Sequence, residues 1–180
     1  MINAKGHMPS GMVGPGAVRA VDVVDGSGRM GPGLLAWLRE RAGAAVGVLG
    51  AVGEVRVRVV GDREMAAAHE KFAGVAGTTD VLTFDMAEEK REGRRPEAYA
   101  TALDVDVLVC FDEAAREAGR RGHAAEREVL LYIVHGVLHC MGHDDHDEGA
   151  AARMHAEEDR VLEAVGVGAT YGRGEQGGGA

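Results

Sequence analysis

Residues 130–146 read LLYIVHGVLHCMGHDDH and place His135 and His139 four positions apart in an apolar, helix-forming run. Side chains four residues apart lie on one face of an α-helix, so the two imidazoles point in the same direction. Few other polar side chains surround them, and a metal ion is the usual partner of imidazoles in an apolar wall. The pattern therefore predicts a metal site on a buried helix.

The residues after this helix offer a third ligand. Gly142 follows the apolar run, and a glycine just past a helix end adopts a positive φ that turns the chain back. This turn would bring residues 143–146, HDDH, toward the histidine pair. Three protein ligands leave a fourth position on Zn²⁺ for water, so we expect His135 and His139 to act in catalysis through a metal-bound water.

Gly136 argues against a zinc protease. The spacing His-x3-His-x2-Gly is similar to the metzincin signature, in which a glutamate follows the first histidine and serves as general base. Here glycine stands at that position, so peptide hydrolysis would lack its proton acceptor. A metal-bound hydroxide can still attack a phosphodiester, and the pattern favours that chemistry.

Composition limits the class of protein further. The net charge of −9 argues against indiscriminate nucleic-acid binding, because a phosphate backbone favours a basic surface. The two cysteines form no CxxC pair, and no segment approaches the roughly 18 consecutive apolar residues of a membrane span. We therefore expect a soluble, cytoplasmic protein with neither a membrane nor DNA as partner.

Hydrophobic periodicity predicts an α+β fold, a single domain with a mixed sheet of about four strands packed with about five helices. We expect a disordered leader over residues 1–16, the folded domain over 17–171 and a disordered tail over 172–180. The charged segment 88–97 is predicted to be an exposed loop. Strands are expected at 17–24, 54–60, 79–86 and 102–110, and helices after Pro32, over 62–72, from Asp112, from about Ala124 and over 150–165.

Three local predictions accompany these elements. Asp62 and Asp112 are expected to cap the helices that they begin. Met65, His69 and Phe72 recur at helical spacing and should share one face of their helix. The strand EVRVRVV alternates, so its valines should face the core and its arginines the opposite side.

Several motifs are similar to those of a known family. HGVLHCMGHDD at 135–145 resembles the signature of the YbeY family, the bacterial endoribonucleases also called rRNA maturation factors. TDVLTF at 79–84, LDVDVLVC at 103–110 and MHAEEDRVLEAVGV at 154–167 resemble further family segments. The resemblance implies a single-strand-specific endoribonuclease that holds one Zn²⁺ per chain. It also implies 3′-end maturation of small-subunit (16S) rRNA and ribosome quality control, with ribosomal RNA and the small ribosomal subunit as partners.

Two departures from the family pattern affect the site. The family places its third metal ligand ten residues after the first, a register that here holds Asp145, while His146 lies one position further. We favour Asp145 and keep His146 as the alternative. Members of the family often carry an arginine a few residues before the segment that resembles TDVLTF, and this arginine is linked to RNA handling. Here residues 72–74 read FAG instead, and we predict that Arg56, Arg58 and Lys71 supply the RNA contacts.

Two other classes of function remain open. One is a non-catalytic ribosome-assembly factor in which zinc is structural, and the other is a metal-dependent hydrolase of another substrate. His69, His123 and His155 stand apart from the motif and are interpreted as ordinary polar or core histidines.

Overall fold

Strands and helices alternate along the chain in the computed structural model, which describes residues 19–86 and 102–172. The predicted leader 1–16, the loop 88–97 and the tail after Gly172 lie outside these ranges. Within them the elements are β1 (Arg19–Asp25), α1 (Pro32–Val48), β2 (Val52–Val60), α2 (Asp62–Ala73), β3 (Val81–Asp85), β4 (Ala102–Cys110), α3 (Phe111–Arg121), α4 (Ala125–Cys140) and α5 (Glu148–Ala164). The predicted α+β class, with four strands and five helices in the described ranges, is confirmed.

The sheet is mixed, with strand order β1-β2-β4-β3. β1, β2 and β4 are parallel, and β3 pairs with β4 in the antiparallel direction. Val55, Val57 and Val59 of β2 are buried in the main core, as their alternation predicts. Arg56 and Arg58 therefore point to the opposite face of the sheet.

α4 is the central helix of the core. It packs against α1, α3, α5, β3 and β4. Buried residues occur all around it, since the ten residues 128–134 and 136–138 are all buried. A helix that is enclosed on every side must satisfy its polar side chains through neighbouring elements, and this requirement shapes the site described below.

Gly136 lies where α4 packs tightly against β3. A Cβ atom built on Gly136 would lie 2.5 Å from the Oγ1 atom of Thr83. It would also lie 3.6 Å from side-chain carbons of Val81 and Val107. The absence of a side chain at Gly136 thus allows the helix to approach the sheet.

α2 covers part of the opposite face of the sheet. Met65 is fully buried there in a small cluster with Val60 and Cys110. Phe72, which was predicted to share a face of α2 with Met65, is 58% exposed. Its ring instead meets Phe84 edge-on, with centroids 5.0 Å apart.

The prediction that Asp62 and Asp112 cap the helices that they begin is wrong, because neither α2 nor α3 has a side-chain cap. The Asp112 carboxylate accepts a hydrogen bond from the backbone N–H of Asp62, at the start of the neighbouring helix α2. The Asp62 carboxylate accepts from Arg116 of α3, and this hydrogen bond is the main cause that lowers the pKa of Asp62. Neither aspartate caps its own helix, so the start of α2 and the first turns of α3 are held together by a pair of reciprocal contacts.

None of the helices in the described ranges combines the length and apolar character that a membrane crossing requires.

Replacing Gly136 with alanine should destabilise the fold. The added Cβ must displace Thr83 or push α4 away from β3, so we expect the free energy of unfolding to fall by roughly 1–3 kcal/mol. Urea denaturation monitored by circular dichroism measures this change.

Gly119→Ala is the matched control. Gly119 lies within α3 and does not adopt positive φ, and a Cβ atom placed on it would meet no neighbouring atom within 4 Å. Alanine there should raise the free energy of unfolding by up to about 1 kcal/mol. Equal stability of Gly136→Ala and the wild type would contradict the close approach of α4 to β3.

Candidate metal centre

The two histidines of α4 face each other at the end of the helix. The Nε2 atoms of His135 and His139 lie 3.0 Å apart, and the ring planes are nearly perpendicular. His135 is the less exposed of the two, with 22% of its side chain accessible against 35% for His139. The predicted pair is therefore brought together on one side of the helix.

The turn after α4 brings one carboxylate to this pair. Gly142 has φ +94°, the positive value predicted for the residue that turns the chain back. One Asp145 oxygen lies 3.8 Å from Nε2 of His135, and its other oxygen lies 3.8 Å from Nε2 of His139. The side chain of His146 is 85% exposed and approaches Asp144 and Asp145 instead.

The Nδ1 atom of each imidazole also forms a hydrogen bond. Nδ1 of His135 donates to the Glu158 carboxylate at 2.7 Å, and Nδ1 of His139 donates to the backbone oxygen of His143 at 3.1 Å. With Nδ1 protonated, a neutral imidazole presents the lone pair of Nε2. Both lone pairs are therefore directed toward the space beside Asp145.

This arrangement fits a zinc ion. Zinc is bound by imidazole nitrogens at about 2.0–2.1 Å in tetrahedral sites, which places two ligand atoms about 3.3–3.4 Å apart. The observed separations of 3.0 Å and 3.8 Å bracket that value. The ligand atoms of His135, His139 and Asp145 all lie within 4.8 Å of one another, as a shared ion requires.

Glu158 is the important residue that the sequence reasoning missed. Its side chain is fully buried on α5, and its Oε2 atom has no hydrogen-bond partner among the described residues. A signal was present in the sequence. Met154, Glu158 and Val161 recur at helical spacing, so the glutamate occupies a position where an apolar residue is expected.

Glu158 changes the protonation of His135. Burial disfavours the charged imidazole, but the hydrogen bond and negative charge of Glu158 outweigh burial and raise the pKa of His135 above its ordinary value. An outer carboxylate of this kind fixes the tautomer and orientation of a metal-binding histidine and increases its basicity.

The residues predicted to bind RNA lie elsewhere in the structure. Arg56 forms ion pairs with Glu54, Asp104 and Asp106 on the sheet face opposite α4. Arg58 pairs with Glu64, and the amino group of Lys71 lies 4.8 Å from the ring centroid of Phe72.

The structure thus does not bring these three residues together with His135 and His139. Arg56 and Arg58 line a groove of about 660 Å³ together with Phe72, Phe84 and several acidic side chains. A role for Arg56, Arg58 and Lys71 in RNA binding stays a prediction.

The remaining histidines have structural surroundings. His69 contacts the backbone oxygen of Gly77, and the ring of His155 stacks on Tyr171. Nε2 of His123 lies 2.9 Å from the buried carboxylate of Glu128. None of these histidines belongs to a group of potential metal ligands among the described residues.

Comparisons with known proteins agree with the motifs. A family model described as endoribonuclease YbeY matches residues 35–166. Among curated relatives named endoribonuclease YbeY, the Micrococcus luteus protein is 37% identical over 112 residues, 62% of this chain and 70% of the relative. The Moorella thermoacetica protein is 35% identical over 132 residues, 71% of this chain and 82% of the relative.

A solved structure shares the fold. The solution structure of the Thermotoga maritima protein TM1509 matches with a TM-score of 0.56 and 26% identity. The match covers 81% of this chain and 89% of the Thermotoga protein.

The contribution of the His135–Glu158 pair to stability should depend on pH in the metal-free protein. Because the folded state raises the pKa of His135, this contribution is fully present below the unfolded value near 6.5 and is lost as pH rises through the folded value. Glu158→Gln should therefore lower the free energy of unfolding by about 1–3 kcal/mol at pH 6 and by less at pH 9. Urea denaturation in the presence of a chelator measures both values.

Glu157→Gln is the control for this titration. The hydrogen bond from Arg160 is the main cause that lowers the pKa of Glu157, so this carboxylate stays ionised from pH 6 to pH 9. Its replacement should have a small effect that changes less with pH than the effect of Glu158→Gln, because its main partner Arg160 does not titrate in this range. A Glu158→Gln effect that changes no more with pH than this control would disprove the coupling to His135.

Proposed function

The chain belongs to the YbeY endoribonuclease family, and from this membership and the site geometry we propose that it is a zinc-dependent endoribonuclease acting on single-stranded RNA. The observation that carries the proposal is the convergence of two imidazole Nε2 atoms, 3.0 Å apart, beside a carboxylate 3.8 Å from each. The catalytic domain is assigned to residues 17–171. The proposed substrate is the 3′ region of 16S rRNA, which would place the protein in maturation and quality control of the small ribosomal subunit in the cytoplasm.

His135, His139 and Asp145 would hold one zinc ion, and each has a separate task. The two imidazoles supply neutral nitrogen donors, and Asp145 supplies an anionic oxygen that offsets part of the metal charge. When bound, zinc supplies Lewis acidity that lowers the pKa of a water molecule and polarises a phosphoryl oxygen. Such chemistry suits the hydrolysis of a phosphodiester.

The outer residues keep these donors in position. Glu158 holds Nδ1 of His135, and the backbone oxygen of His143 holds Nδ1 of His139, so neither ring is free to rotate away from Asp145. Loss of an outer partner of this kind typically reduces metal affinity about 10- to 100-fold. The precision of the site therefore depends on α5 and on the turn after α4 as much as on α4 itself.

Purified protein should contain about one zinc ion per chain, a stoichiometry expected for a single three-residue donor set. His135→Ala and His139→Ala should each remove the metal, because each variant loses a ligand. Inductively coupled plasma mass spectrometry measures the metal content. Stoichiometric zinc in the double variant would refute the site.

The third ligand is tested by two neighbouring variants. Asp145→Ala should weaken zinc binding by more than the roughly 10- to 100-fold cost of losing an outer partner, because a ligand and its charge are both lost. His146→Ala serves as the control. The His146 side chain is 85% exposed, so its loss should have little effect on zinc affinity. Competition with a chromogenic chelator gives both affinities, and the reverse order of effects would assign the third ligand to His146.

Cleavage of single-stranded RNA should require the metal. The rate should rise between about pH 6 and pH 8, stop when a chelator is added, and fall as salt increases, while duplex RNA resists cleavage. A fluorescently labelled oligoribonucleotide measures the rate. Ribosome association that survives loss of the zinc ligands, without RNA cleavage, would favour the non-catalytic assembly factor. Equal cleavage by the zinc-free protein would exclude this mechanism.

The role of the distant basic residues is tested by the same assay. If Arg56, Arg58 and Lys71 contact RNA, replacing all three with alanine should raise KM and leave the zinc content unchanged. Arg120→Ala with Arg160→Ala removes exposed charge from α3 and α5 and serves as control. An unchanged KM in the triple variant would assign RNA binding to other residues.

A further inference from the structure

The residues after α5 cross back over the core as a short segment, which we call the C-terminal strap and define as residues 167–172. The strap lies beyond the family match, which ends at residue 166. Its first residue, Val167, donates its backbone N–H to the carbonyl oxygen of Leu162 at 2.9 Å. The strap therefore continues directly from α5 and is not a separate element.

Asp159 fixes the end of the strap. Its carboxylate accepts hydrogen bonds from the consecutive backbone N–H groups of Thr170, Tyr171 and Gly172, at distances from 2.5 to 3.2 Å. A carboxylate that receives three backbone donors holds a segment in one conformation. Asp159 immediately follows Glu158, so the anchor of the strap is adjacent to the residue that orients His135.

Arg127 fixes the middle of the strap from α4. Its guanidinium donates to the backbone oxygens of Gly168, at 2.9 Å, and Ala169. The strap is thus tied both to α5, which carries Glu158, and to α4, which carries His135. These ties bridge the two helices whose contact forms the buried hydrogen bond.

Tyr171 is the side chain that the strap places against α5, one turn from Glu158. Its ring stacks on His155, with centroids 3.8 Å apart and planes 12° from parallel. His155 lies three residues before Glu158, so the two side chains are neighbours on one face of α5. Arg121 approaches the Tyr171 ring at 5.4 Å and also binds the buried carboxylate of Glu128.

The electrostatic environment of Tyr171 agrees with this position. Burial raises the pKa of Tyr171 to about 12, and the charge of Glu158 acts in the same direction. Glu158 itself is fully buried. A charge acts more strongly on its neighbour when water is excluded, so a cover over Glu158 would strengthen its hold on His135.

We propose that the C-terminal strap is a cover for the Glu158–His135 hydrogen bond, and that Tyr171 is a positioning residue that keeps water from this pair. Tyr171 acts through Glu158 and has no direct role toward substrate. The consequence for zinc affinity rests on the proposed function, but the exclusion of water can be measured in the metal-free protein.

Hydrogen exchange of the His135 Nδ1–H group tests the proposal. In the metal-free, full-length protein this proton should give a protected ¹⁵N-edited NMR signal. Tyr171→Ala should accelerate its exchange at least tenfold, whereas Tyr171→Phe, which keeps the stacking ring, should preserve the protection. Asp159→Asn, which weakens the anchor without altering the ring, should accelerate exchange in the same direction as Tyr171→Ala.

Two further measurements separate the possible failures. A chain ending at Gly172 keeps the strap and should exchange like the full chain. Zinc affinity should fall roughly tenfold in Tyr171→Ala and stay near the wild-type value in Tyr171→Phe, as for the loss of an outer partner. Unchanged exchange in both Tyr171→Ala and Asp159→Asn would overturn the cover. Faster exchange in a protein that binds no zinc would support the cover and overturn only the proposed function.

Discussion

Burial of α4 on every side is the constraint on which the rest of the structure depends. A buried helix must find partners for each polar side chain that it carries, and α4 carries Glu128 and His135 among its apolar residues. Arg121 of α3 donates a hydrogen bond to Glu128, and Glu158 of α5 accepts one from His135. The hydrogen bond between His135 and Glu158 therefore both satisfies a polar side chain of the buried helix and orients a candidate ligand.

Much of the fold followed from local sequence patterns. Alternating valines identified the strands, and the His-x3-His spacing within an apolar run identified the ligand pair, because both depend only on the geometry of one element. The order of the strands depends on how separate elements meet, and the sequence pattern of each element carries no record of it. The role of Glu158 was missed for the same reason, since its partner His135 is 23 residues away on another helix.

The sheet face opposite α4 carries arginine side chains without forming a basic surface. Arg56 lies among three carboxylates on the face opposite α4, and such exposed pairs contribute little to stability. They do neutralise the arginine, which leaves little excess positive potential for a phosphate backbone. The net charge of −9 and this pairing together indicate that RNA recognition relies on more than long-range attraction.

The close approach of α4 to β3 at Gly136 also limits which hydrolytic reaction the site can support. A carboxylate at this position would serve peptide hydrolysis in the metzincin arrangement. In this fold even a methyl group would lie 2.5 Å from the Oγ1 atom of Thr83, so a glutamate could enter only if Thr83 moved or if α4 and β3 separated. A change of Gly136 alone to the catalytic glutamate would therefore disturb the packing of α4 against β3, and this packing favours a reaction that needs no carboxylate at position 136.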